Sequence, residues 1–178
     1  GTADEGVPYC EGFIFFSLLV WVIELYIDFR QRRRLCGKQL PPELEKDFTL
    51  EEFVSACDYS IDKISFQMLT NTICTWAQVF FLLMGGLAWM WRVSLSMLES
   101  LGMSESDEIL LSMVFCCVYL VKSVIEGVPY DLYETFVLEE RHGFNKQSIR
   151  VWMTDQIKTN ALIVFLGFPA TAFGIRII

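Results

Sequence analysis

The chain has 178 residues, 53% hydrophobic and 15% aromatic, with a formal charge of −8. So acidic a chain lacks the basic surface that neutralises phosphates, which argues against a nucleic-acid partner. A mean hydropathy of +0.41 is high for a soluble domain, and the charges are gathered into blocks instead of being spread over a surface.

The start, Gly1-Thr2-Ala3-Asp4-Glu5, is acidic and has no initiator methionine, so no secretory signal is expected. The end, Gly174-Ile175-Arg176-Ile177-Ile178, stops inside an apolar segment, and both ends read as cuts within a longer protein. The first predicted span covers about 9–29. Its core before Glu24 is short, but it continues with Glu24 and Asp28, i,i+4 neighbours on one helical face. A polar stripe on a spanning helix is expected to turn toward other helices or a water-filled cavity.

A connection over 30–65 follows, carrying Arg30, Arg32, Arg33, Arg34, Lys38, Lys46 and Lys63. Pro41-Pro42 gives it a stiff stop. Thr49-Leu50-Glu51-Glu52 then supplies a capping box, which predicts a short amphipathic helix through Tyr59 and Ser60 before the second span begins.

That second span, placed at about 66–91, lies within a run of 28 residues, 64–91, without a formal charge. Roughly 20 apolar residues suffice to cross a bilayer. Gly85-Gly86 inside it allows a close helix contact or a bend. The next connection, 92–108, carries Glu99, Glu105, Asp107 and Glu108. A third span is predicted over 109–130, with Lys122 and Glu126 as a second i,i+4 pair. The four residues Glu24, Asp28, Lys122 and Glu126 are candidates for a cavity-facing stripe.

Beyond it lies 131–154, where 132–141 reads as a helical extension of the third span. Gly143 is placed to stop that helix in a left-handed conformation, with Arg141 and His142 where cations favour the helix dipole. Asn145 starts a turn toward a fourth span, 155–178, with Ser148 as its N-cap. Glu139 and Glu140 are expected to be free for a partner arginine outside the chain. His142 is the only histidine, yet a corner-and-docking role fits the run 139–145 better than a ligand role.

Basic, acidic and basic connections alternate, as the positive-inside rule requires of a multi-span protein. The expected fold is therefore all-α: a polytopic membrane protein with three full transmembrane helices plus most of a fourth, and a cytosolic amphipathic helix. Connections 30–65 and 131–154 are cytosolic on this reading, and 92–108 is lumenal. The six cysteines show no Cys-x-x-Cys pair and no partner histidines, so they read as buried free thiols instead of a zinc or disulfide framework.

Three blocks resemble the amino-terminal membrane region of the CAAX prenyl protease 1 family. The first, 21–32, reads Trp-Val-Ile-Glu-Leu-Tyr-Ile-Asp-Phe-Arg-Gln-Arg. The second is Pro41-Pro42-Glu43-Leu44 followed by Tyr59-Ser60-Ile61-Asp62-Lys63. The third, 127–148, reads Gly-Val-Pro-Tyr-Asp-Leu-Tyr-Glu-Thr-Phe-Val-Leu-Glu-Glu-Arg-His-Gly-Phe-Asn-Lys-Gln-Ser.

The resemblance implies a multi-pass protein of the endoplasmic reticulum and inner nuclear membranes, with seven spanning helices around a large chamber and a cytosolic zinc protease domain. Such proteins remove the last three residues of prenylated CAAX proteins. The partners implied are the remaining helices and protease domain of the same polypeptide, the prenylated substrate and the lipid bilayer. The chemistry needs His-Glu-x-x-His, whose two histidines hold zinc from one helical face while the glutamate serves as base. One histidine cannot supply that motif, so zinc is expected outside this chain, with no catalytic, cofactor or metal residues within it. The chain's expected role is chamber wall and support, inactive alone. The alternatives are a non-enzymatic membrane protein that keeps only this part of the family, and a transporter or channel subunit using the same charges as a conduction path.

Overall fold

A computed structural model describes residues 9–37, 49–100, 102 and 108–177. They form α1 (Tyr9–Leu35), α2 (Leu50–Leu83), α3 (Gly86–Ser100), α4 (Glu108–Tyr133), a π-helical turn (Glu134–Glu139) and α5 (Ile149–Ile177). The stop at Pro41-Pro42, together with Glu105 and Asp107 of 92–108, lies outside the described residues.

The chain forms two compact units. One comprises Gly1–Met84 with Glu134–Phe144, and the other Gly85–Tyr133 with Asn145–Ile178. In the first unit α1 packs along α2, and α2 also meets the π turn. Trp21 links the two long helices, donating from Nε1 to Thr72 Oγ1 at 3.2 Å and meeting Trp76 edge-on at 6.0 Å. The buried side chains here are Cys57, Ile64 and Val79 on α2, and Leu138 in the π turn.

In the second unit α4 packs on both α3 and α5. Met90, Ser94 and Leu98 recur every four residues along α3 and are fully buried, with Leu111 of α4 also buried. Ser94 satisfies its hydroxyl by donating to the Met90 carbonyl at 2.9 Å. Trp91 and Phe115 add a tilted ring contact at 5.7 Å.

Elsewhere large apolar side chains point outward, among them Phe16, Tyr26, Phe80 and Phe165, which is 74% exposed. That is the inverse of a soluble protein, and it suits helices whose solvent is hydrocarbon. Two helical stretches, Tyr9–Leu35 and Glu108–Glu139, are long and apolar enough to cross a membrane. The pair α2 and α3 makes a third if the two form one span.

Three expectations need correction. The short amphipathic helix is not separate: Thr49 caps α2 with the full reciprocal box to Glu52, and α2 then runs unbroken to Leu83. Nothing between Ser60 and Ile64 breaks a helix, and Ser60 and Ser65 fold their hydroxyls back on carbonyls four residues earlier. The run 66–91 is not one helix, because Gly85 takes φ 73°, a left-handed conformation that ends α2 and lets α3 start afresh. Of the 92–108 connection, residues through Ser100 belong to α3.

The expectation of buried thiols needs correction as well: of the six free cysteines only Cys57 is buried, Cys117 is partly exposed, and Cys10, Cys36, Cys74 and Cys116 are exposed.

Candidate functional site

The densest polar constellation lies where α2 meets the π turn, and it contains the only histidine. A π turn closes i→i+5 hydrogen bonds in place of the α-helical i→i+4 pattern. In a regular α-helix Glu134 and Glu139 would diverge by about 140° around the axis. The wider turn stacks them, and both reach the same cation. Lys63 Nζ lies 2.7 Å from Glu134 Oε1 and 3.7 Å from Glu139 Oε1.

Tyr59, one helical turn before Lys63, accepts from the ammonium at 3.4 Å and donates to Glu139 Oε1 at 3.3 Å. The Lys63 nitrogen also sits 5.7 Å from the Tyr59 ring centre. The hydrogen bond to Glu134 holds the Lys63 ammonium above its ordinary pKa, outweighing the burial that would lower it.

The other half of the corner is closed by Asp62. Its Oδ2 lies 3.0 Å from His142 Nε2, and Arg141 reaches the same oxygen at 3.9 Å. A carboxylate only accepts, so Nε2 carries the proton in this bond. The His142 ring stands edge-on to Tyr59 at 5.5 Å, and Phe144 covers Tyr59 at 4.6 Å.

The chain reverses just beyond. Gly143 has φ 74°; its N–H donates to the Glu140 carbonyl at 3.0 Å, and the Phe144 N–H donates to that of Glu139 at 2.9 Å. Those two bonds are a Schellman motif with Gly143 as the left-handed residue. In the second unit, Asn145 Oδ1 accepts from the Gln147 N–H at 2.7 Å, and Ser148 Oγ accepts from the Val151 N–H at 3.5 Å as α5 begins.

Glu139 is therefore not free for an outside arginine: Lys63 and Tyr59 of the same chain already hold it. Glu140 is exposed and has no ion pair among the described residues. Glu24 and Asp28 line a narrow crevice between α1 and α2 with Trp21, Leu25, Met68 and Asn71. Lys122 and Glu126 pair with each other on α4 at 2.6 Å.

Sequence reasoning missed Glu134 and the roles of Tyr59, Asp62, Lys63 and Phe144. Tyr59, Asp62 and Lys63 belong to the second resembling block, while Glu134 and 139–144 belong to the third. The fold joins those two blocks.

No group of three His, Cys, Asp or Glu side chains among the described residues could hold a metal ion. His142 has only Nδ1 left to offer, so the corner does not fit zinc.

Residues 31–178 match the family described as CAAX prenyl protease N-terminal, five membrane helices. The chain belongs to this family. It is 35% identical over 172 residues to the CAAX prenyl protease 1 homolog of Arabidopsis thaliana, covering 97% of this chain and 41% of that protein. To the Homo sapiens CAAX prenyl protease 1 homolog it is 32% identical over 166 residues, covering 93% and 35%. The crystal structure of S. mikatae Ste24p superposes with a TM-score of 0.81 at 26% identity, covering 94% of this chain and 39% of that one. The chain thus spans about two fifths of the CAAX prenyl proteases it matches.

Proposed function

We propose that this chain is the membrane-embedded support of a zinc metalloendopeptidase that removes the last three residues of prenylated CAAX proteins. The observation that carries the reading is the corner itself, where two blocks of family-like sequence, 80 positions apart at Tyr59 and Glu139, form one ion-paired network. Its residues are spent on each other, which is the chemistry of a support. Zinc, with the water and base it would activate, is assigned to the part of the polypeptide beyond this chain.

The connections 30–65 and 131–154 face the cytosol in this reading, in the endoplasmic reticulum membrane. The helices here provide three spans and most of a fourth, the second of them broken at Gly85. Glu24, Asp28, Lys122 and Glu126 polarise a chamber wall. Cysteines placed at those four positions should react with water-soluble reagents in the intact protein; protection of all four would mean plain helix pairing.

The test of the main reading uses the full-length protein, purified with its metal and offered a farnesylated CAAX peptide and its unprenylated counterpart. Release of the tripeptide from the prenylated peptide alone, with zinc bound, is the expected result. No zinc and no cleavage would overturn it and favour a non-enzymatic membrane protein.

A further inference from the structure

The end of α1 carries Arg30, Arg32, Arg33 and Arg34, all exposed, and none has an ion pair among the described residues. At about 100° per residue, Arg30, Arg33 and Arg34 fall within about a 100° arc, while Arg32 points nearly the opposite way. The face that meets α2 is fixed independently by Trp21 and by the crevice residues Leu25 and Asp28. On the same wheel these lie roughly opposite the three-arginine arc.

Going back along that outer arc, the residues before Arg30 are Ile27, Tyr26 and Ile23, each about half exposed or more. The outer column thus runs from Ile23 through Tyr26 and Ile27 to the arginines, apolar and aromatic below and basic above, over the last turns of a helix that is long enough to cross a membrane. The acidic residues Glu24 and Asp28 sit on the other half, toward α2. Placing cations near a helix C-terminus suits the dipole. That effect has no preference for one face, and it does not account for the tyrosine and isoleucines stacked beneath.

We infer that Arg30, Arg33 and Arg34, with Tyr26 at the apolar boundary, form a docking surface for the headgroup of an anionic phospholipid. The occupant follows from charge complementarity and depth. About 20 residues of span precede Arg30, so the guanidinium groups reach headgroup level as Tyr26 reaches the interface. Clustered cations directly after a span attract anionic lipid, and guanidinium binds phosphate through paired donors. The inference uses the cytosolic orientation proposed above but not the protease assignment.

The test titrates short-chain phosphatidylserine into the full-length protein in a neutral detergent, with binding followed by native mass spectrometry. Phosphatidylcholine and inorganic phosphate serve as the other arms. Phosphatidylserine should bind in preference to both, more weakly at high salt. Joint substitution of Arg30, Arg33 and Arg34 by Gln should weaken it by about 100-fold, or roughly fivefold per arginine. Lysines at the same positions should retain most of the binding, and Arg32→Gln should cost much less than the triple change. Equal binding of phosphatidylcholine, inorganic phosphate binding as tightly as the lipid, or no loss in the triple variant would overturn the inference. Peptide cleavage by the triple variant in detergent should match the wild type, which keeps this outcome separate from the protease reading.

Discussion

The two seams of α2 are built from different chemistry. Toward α1, Trp21 makes one hydrogen bond and one ring contact, beside a crevice that Glu24, Asp28 and Asn71 line with Leu25 and Met68. Toward the π turn, Tyr59, Asp62 and Lys63 meet Glu134, Glu139, Arg141 and His142 in a charged network. In hydrocarbon, apolar packing gives no hydrophobic advantage over lipid, so the first seam depends on shape and on the few polar groups it holds. Near the polar end of α2, charges can be held because water still reaches them. The second seam, held by ion pairs and directional hydrogen bonds, fixes one register.

Substitutions at the two seams test this difference. Lys63→Ala strips Glu134 and Glu139 of their shared cation and should destabilise the intact protein by about 2 kcal/mol, read as a lowered thermal midpoint. The Lys63 contribution has a defined sign with pH. Its folded pKa is raised, so the stabilisation is fully present below the ordinary value of 10.5 and is lost only as pH rises above it. A pH scan should therefore show no loss of this contribution between neutrality and pH 9.

Gly143→Ala should cost about 1 kcal/mol through the left-handed backbone, since no atom lies within 4 Å of an added Cβ. Asn at 143 should recover part of that loss. Trp21→Phe, at the other seam, should cost only about 0.6 kcal/mol. If Trp21→Phe proved the more damaging, the contrast between the seams would collapse.

Smallest of all, Glu52→Gln should weaken the Thr49 cap. The bonds from Thr49 lower the Glu52 pKa, so its contribution is present above the ordinary 4.5 and fades as pH falls below it. Faster amide exchange confined to the first turn of α2 would register the loss.

Much of this was legible in the sequence. The capping box at Thr49, the stop at Gly143 and the start of α5 after Ser148 are local signals, decided by a few neighbouring residues. The long apolar runs announced helices in a membrane. The corner was not legible, for two reasons. Its partners are 80 positions apart, and no local pattern pairs Asp62 with His142. The π turn also defeats helical-wheel reasoning: α-helical spacing separates Glu134 from Glu139, and only the extra width of the turn aligns them on Lys63. The break at Gly85 was open to either reading, because a glycine pair permits contact or bend and only a backbone dihedral decides. The resemblance to the family brought the two blocks to notice without indicating that they touch.

On the reading proposed above, the run 139–145 is a structural corner and not a metal ligand set. A charge exchange in the full-length protein tests it directly, with thermal midpoint and zinc content measured on the same samples. Lys63→Glu and Glu134→Lys should each lower the midpoint, and the double variant should recover most of the loss. Zinc content should stay at the wild-type level in all three folded variants and in His142→Ala. A folded His142→Ala that had lost its zinc, or a double variant no more stable than its parents, would contradict the account.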